Sequence, residues 1–201
     1  MKNNTSFTQS INTLRNLLAL GLFSLASTTV ATDFPAVLDA FEDAGQTSVN
    51  TPRFVVTDSS IGGNSTAKPA YQDGVLRMEG SLVPARGQPG FASFVLLLDP
   101  EGKPQDLSGY KGIEMRIRLL EGTLSVLAAS SEIQNFDYHA TPITRSKEFK
   151  VVRIPFKNLK RVWSEPTALN LETITSINLV ASGMQAGNYV YEIDSVGFYK
   201  N

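Results

Sequence analysis

One histidine, no cysteine and a single adjacent glycine pair in a turn-rich octapeptide bound the chemistry open to this chain of 201 residues. A Ser-His triad or a histidine metal site would have to be assembled around His139 alone. That residue lies in Asp137-Tyr-His-Ala-Thr141, which reads as strand, with no Gly-x-Ser-x-Gly nucleophile elbow nearby. The expectation is a half-exposed strand histidine and no enzyme. The missing cysteines remove thiol catalysis, zinc-thiolate sites and disulfides together. A paired-carboxylate hydrolase would need two acids from distant strands to face each other, which spacing alone does not reveal. The glycine pair sits in Asp58-Ser-Ser-Ile61-Gly62-Gly63-Asn-Ser65 without the Lys-Ser/Thr of a phosphate-binding loop and without a following helix pattern. It reads as a structured turn, closed by the side chains of Asp58 and Ser65 and permitted by the glycines.

Binding chemistry has more material than catalysis. Tyr71, Tyr110, Tyr138 and Trp163 are the aromatic candidates for outward display, since a ring face suits the apolar face of a sugar. Arg116, Arg118 and Arg153 fall at strand positions whose side chains face water, where guanidinium groups can donate to a ligand. Arg116, Arg118, Tyr138 and Arg153 together make the predicted polar-aromatic face.

The elements that must position these residues are strands. Nine apolar runs of strand length recur between turn signals: 54–57, 75–83, 91–98, 113–120, 124–129, 136–141, 149–156, 174–181 and 189–198. With no helical period among them, the fold class is all-β, a sandwich or barrel. Leu76, Met78 and Leu82 share one face while Arg77, Glu79 and Ser81 share the other. Ile113, Met115, Ile117 and Leu119 likewise oppose Glu114, Arg116 and Arg118. Phe94 to Leu98 lacks this alternation and predicts a strand covered on both faces or one lying at the centre of the sandwich. In the last run, Ile193 followed by Val196 and Phe198 breaks parity, which predicts a β-bulge near Asp194 and Ser195.

Residues 1–31 carry no acid, two bases (Lys2 and Arg15) and an apolar run from Leu17 to Ala26, ending in Thr29-Val-Ala31. This reads as a signal peptide cut after Ala31, giving a periplasmic or secreted protein; a mitochondrial transit peptide is the alternative. The apolar run is shorter than the roughly 20 residues a bilayer span requires, so no membrane span is expected in the mature chain. Removing two bases and no acid moves the formal charge from −1 to −3, which offers no footprint for nucleic acid. Residues 32–52 form a leader, with an apolar patch from Phe34 to Phe41 that suits a strand or short helix, and 53–201 form one domain. A chain of about 170 residues buries about 70% of its unfolded surface and needs no covalent staple.

The octapeptide is followed by Gly80, by Pro89-Gly90-Phe91-Ala92-Ser93 and by Asp106-Leu-Ser-Gly-Tyr110. Further on come Phe149-Lys-Val-Val-Arg-Ile154-Pro155-Phe156 and Tyr191-Glu-Ile-Asp194-Ser-Val. From Phe54 to Tyr199 this series resembles the complex I intermediate-associated protein 30 family, as an exported, bacterial-type member. Ile61 and Phe149 depart from the family pattern but keep an apolar plug, whereas Pro89 replaces a glycine. The resemblance implies a galactose-binding-like jelly roll, with Asp58, Gly62, Gly63, Ser65, Gly90 and Phe91 as its structural motif. It also implies a non-catalytic protein-interaction or assembly factor. The alternative is glycan binding, as in carbohydrate-binding modules similar to family 11. No cofactor is implied except a structural calcium, for which Glu42 or Asp43 and Asp194 would stand at the ligand positions.

Overall fold

A computed structural model describes residues 33–201, and the signal-peptide expectation for 1–31 lies outside the described residues. Eleven strands form: β1 (Val37–Asp39), β2 (Arg53–Thr57), β3 (Lys68–Gln72), β4 (Val75–Leu82), β5 (Gly90–Leu97), β6 (Gly112–Glu121), β7 (Ser125–Ser130), β8 (His139–Pro142), β9 (Ser146–Pro155), β10 (Ile174–Gly183) and β11 (Gly187–Tyr199). They make two antiparallel sheets. One has the order β3-β4-β11-β6-β9 with β1 also beside β11, and the other the order β2-β5-β10-β7-β8. Among the described residues no helix is long and apolar enough to cross a membrane.

Alternation decides which side of each sheet is dry. Leu76, Met78 and Leu82 of β4 point into the core with Ile113, Met115, Ile117 and Leu119 of β6, and all are buried. Leu96, Ile177 and Ala128 face them from the other sheet, aligned across β5, β10 and β7 and fully excluded from solvent. Tyr189 and Tyr191 stack with ring centroids 6.4 Å apart. Burial pushes the Tyr189 hydroxyl up to about 12, so it stays protonated and donates to the Thr66 carbonyl at 2.9 Å. The extra residue of the last strand is Asp194. Ile193 pairs with Ile117 and Ser195 with Arg116, so the bulge restores the inward orientation of Val196 and Phe198.

β3 and β1 show no alternation of their own. β3 contains Pro69 and pairs only with β4, and an edge strand tolerates a residue without an N–H. Its signal was the turn that follows, where Asp73 (φ 51°) and Gly74 (φ 72°) form the two-residue hairpin connection favoured by Asp-Gly. β1 supplies only three residues, yet Leu38 and nearby Phe41 are buried in the core. Asp39 of β1 takes the Arg53 guanidinium of β2 in a two-pronged pair, Nε to Oδ2 at 2.6 Å and Nη2 to Oδ1 at 2.9 Å. The Phe41 and Tyr71 rings flank that guanidinium at 5.4 and 5.0 Å.

Three expectations about exposure are corrected. Tyr110 is buried and its hydroxyl donates to the Phe34 carbonyl, so it is no outward ring. Ile61 plugs nothing, being 47% exposed. Phe149 is half-buried on an outer face, where it lies under two arginines rather than in the core.

Candidate functional site

The turn from Asp58 to Ser65 is held from within. Asp58 is fully buried, and its carboxylate accepts from the Ser65 N–H at 3.0 Å, the Ser65 hydroxyl at 2.6 Å and the Phe91 N–H at 3.3 Å. The Ser65 hydroxyl in turn accepts from the Val83 N–H at 2.9 Å. The motif therefore ties the end of β4 and the start of β5, including Gly90 and Phe91, to one carboxylate. Gly62 has φ of 84°, and a Cβ on Gly63 would fall 2.2 Å from the Asp58 Cγ. The Asp58 carboxylate, not a ligand, occupies the hollow of this turn.

His139 is buried at 2% exposure, not half-exposed, because its side chain aligns with Ala128 and Ile177 on the inner face of the five-stranded sheet. Its Nε2 meets the Thr167 carbonyl at 2.9 Å, which makes Nε2 the protonated nitrogen, and Nδ1 has no partner. Among the described residues no hydroxyl or carboxylate hydrogen-bonds to this ring, so these residues assemble no triad there.

The outer face of the six-stranded sheet carries Arg116, Arg118 and Arg153, and each already holds an acid. Arg116 pairs with Asp194, Arg153 with Glu114 at 2.5 Å, and Arg118 with Glu192, its Nε lying 2.7 Å from Oε2. Arg77 reaches the other oxygen of Glu192 at 2.7 Å. Burial would raise the Glu192 pKa, but the hydrogen bonds from Arg118 and Arg77 outweigh it and hold the carboxyl below its ordinary value. Phe149 lies 4.7 Å from both the Arg116 and Arg118 guanidinium carbons. This is a self-neutralised ladder in which each guanidinium is paired with an acid. Tyr138 is not part of it, since it immediately precedes β8 in the other sheet.

The residues named for calcium do not fit the ion. Asp194 is held by the Arg116 cation, Glu42 is exposed, and the Asp43 carboxylate accepts from the Gly45 and Gln46 backbone at 2.6 and 3.1 Å. Both oxygens of Asp39, the acid on the first strand, are taken by Arg53. Among the described residues no three acids or histidines gather, whereas calcium takes about six to eight oxygens.

The outer face of the five-stranded sheet is of a different kind. Its register lines up Phe54, Val95, Asn178, Leu127 and Ala140 across all five strands, with Val56, Ser93, Val180, Ser125 and Pro142 in the next row. No outward position of these strands is charged. β5 is thus not covered on both faces: Ala92, Phe94, Leu96 and Leu98 are buried, while Val95 and Leu97 lie half-buried on this deck. The missing alternation of Phe94 to Leu98, together with that of Ile177 to Ala181, was the sequence signal for it. At its centre Asn178 is buried, with its side-chain carbonyl unpartnered.

An aromatic corner adjoins this deck beyond β8. Ala140 and Lys160 exchange backbone hydrogen bonds at 2.9 Å, so the chain after β9 runs antiparallel alongside β8. The buried Asp137 carboxylate then accepts from the N–H groups of Val162, Trp163 and Ser164 at 2.8, 3.1 and 2.6 Å. Burial would raise its pKa, and these hydrogen bonds lower it below the ordinary value. The clamp fixes Trp163 and Val162, which are 68% and 73% exposed, near the edge-to-face pair Phe136 and Tyr138. Phe136 sits at φ 61°, a left-handed backbone that a phenylalanine adopts only when its surroundings hold it there. Sequence pattern nominated Tyr138 and Trp163 but not Asp137, which makes their display possible.

The fold is that of carbohydrate-binding modules. The family 11 module of a cellulosomal cellulase of Clostridium thermocellum superposes with a TM-score of 0.58 at 19% identity, covering 84% of this chain and 96% of that one. A family 11 module from Clostridium thermocellum in complex with a β-1,3-1,4-mixed-linked tetrasaccharide gives 0.56 at 19%, over 82% and 94%. A β-1,2-glucanase from Parabacteroides distasonis gives 0.50 at 14%, over 84% of this chain and 25% of that one. These likenesses establish a galactose-binding-like jelly roll. A comparison with curated proteins finds no match. The family description "Complex I intermediate-associated protein 30 (CIA30)" matches residues 43–193, three quarters of the chain and every strand from β2 to β10, and the chain therefore belongs to the complex I intermediate-associated protein 30 family.

Proposed function

We propose that this protein is a non-catalytic docking module that binds a protein partner on the outer deck of its five-stranded sheet, with the aromatic corner as anchor. The charge-free deck carries this reading. A contiguous uncharged sheet face that leaves apolar side chains such as Phe54 and Val56 exposed marks an interaction site, and aromatic residues displayed at its rim are the side chains that dominate protein interfaces. Sugar hydroxyls call for several converging donors and acceptors, whereas the deck offers small hydroxyls and one amide, and the arginines lie on the opposite sheet engaged with acids. The family name points the same way, towards assembly rather than turnover. His139, the one histidine, is buried in the core and engaged with the Thr167 carbonyl, which fits a structural use of this side chain.

Glycan binding is the second reading, favoured by the exposed Trp163 beside Phe136 and Tyr138 and by the fold shared with family 11 modules. One experiment separates the two. Affinity capture from the native host is compared for the wild type, for Val180→Lys on the deck and for Val151→Lys on the opposite sheet, alongside a glycan array. A stoichiometric protein lost with Val180→Lys, retained with Val151→Lys and accompanied by a silent array is expected. Oligosaccharide binding abolished by Trp163→Ala or Tyr138→Ala would replace the protein reading with the glycan one.

A further inference from the structure

We infer that β2 is a self-pairing edge and that the protein forms a two-fold dimer by antiparallel β2–β2 pairing, joining the two five-stranded sheets into one of ten strands. β2 pairs with β5 on one side and, among the described residues, with no strand on the other; only Pro52, just before it, makes a single bridge to Gln46. Its three central residues, Phe54, Val55 and Val56, are 46, 39 and 47% exposed. An exposed run of strand-forming residues whose backbone is unpaired along one side is a template for another strand.

The remaining sheet edges are each protected. β3 carries Lys68 and Pro69, β9 carries Lys147, Glu148, Lys150 and Arg153, and β1 is only three residues long. β8 is covered by the backbone of Lys160. Charge, proline, brevity and cover are the devices that block edge pairing, and among the described residues none of charge, proline or cover protects β2 from Phe54 to Thr57. The one charge on β2 does not protect it. Arg53 is turned inward onto Asp39, leaving its side chain 4% exposed.

These facts select a second copy as the occupant. About a two-fold axis through Val55, antiparallel pairing sets Val55 against Val55 and Phe54 against Val56, with no like charges opposed. Because no other edge among the described strands is open, the pairing closes at two subunits and does not propagate into a filament. The Phe54–Val95–Asn178–Leu127 row then continues across the axis into its counterpart, doubling the deck. This inference stands on the sheet edge and does not depend on what the deck binds.

The test uses sedimentation equilibrium together with a cysteine placed at the axis, in a chain that has no cysteine of its own. Cross-strand Cα atoms about 4.5–5.5 Å apart fall inside the disulfide range of about 4.4–6.8 Å, so Val55→Cys should oxidise to a covalent dimer while Val151→Cys on β9 should not. The wild type is expected at twice the chain mass. Val56→Lys, with an unchanged circular dichroism spectrum and thermal midpoint, should weaken the dimer by roughly tenfold or more, because two ammonium groups enter the seam. A wild type that remains monomeric up to about 0.1 mM overturns the inference. So does a dimer that Val55→Cys does not lock and Val56→Lys does not weaken.

Discussion

Asp58 accepts three hydrogen bonds inside a hollow that Gly63 leaves open, and the two residues depend on each other. Asp58→Ala strands the Ser65 N–H and the Phe91 N–H in a buried site, which should destabilise the protein by roughly 2–4 kcal/mol. Gly63→Ala forces a methyl group into the carboxylate and should cost about 2 kcal/mol or more through displacement of Asp58. Urea titration of both variants checks this. A ligand-cradle role would instead leave stability near that of the wild type. Sequence reading identified the octapeptide as a turn because its glycines and flanking Asp and Ser are local signals. It misjudged the exposure of His139, since whether an alternating position faces core or water depends on which sheet face the rest of the molecule covers. His139 took the inner side because Ala128 and Ile177, its neighbours in register, are in the core.

At the scale of elements, the connection after β9 is ordered by one side chain. Asp137 gathers three consecutive N–H groups and so latches Trp163 beside β8. Asp137→Ala should release this segment while leaving the sheets intact. Because Trp163 is the one tryptophan, its fluorescence anisotropy reads the latch directly and should fall, with the far-ultraviolet circular dichroism unchanged. Unchanged anisotropy would mean that packing, not the carboxylate, holds the loop. The nine apolar runs were legible as strands, and one register break was legible too: the parity change around Asp194 demanded the bulge that β11 contains there. β1 and β3 were not legible in this way. Three residues are too few for a period, and an edge strand open to water on its outer side needs none.

For the whole molecule, acid sensitivity follows from carboxylates that folding stabilises in the charged form. Glu192 and Asp137 both have pKa values lowered by their hydrogen-bond donors against the opposing effect of burial. A folded pKa below the unfolded one means that the stabilisation is present at pH above the unfolded carboxyl pKa, about 4–4.5. It is lost as pH falls through the folded value. The thermal midpoint should therefore be flat from pH 7 to about 5 and decline below that. Glu192→Gln should lower stability by about 1–3 kcal/mol at pH 7, where Arg77 and Arg118 lose their shared partner. The gap to the wild type should close towards pH 3. A variant whose midpoint runs parallel to the wild type at every pH would show that Glu192 does not contribute through its charge.

By itself the sequence determined the class of the fold and the family, because strand alternation, turn residues and the spaced motifs from Asp58 to Asp194 are properties of neighbours along the chain. It also determined that the arginines of β6 and β9 face outward. Tertiary structure alone decided that those arginines are neutralised, since Asp194 and Glu192 reach Arg116 and Arg118 only when β11 lies beside β6. It separated Tyr138 from them by assigning β8 to the other sheet, and it assembled the uncharged deck from five strands distant in sequence. The physical reason is one of range. Periodicity fixes which side a residue points to within its own strand, while the partner that it meets is set by register and sheet order, which closure of the sandwich core selects.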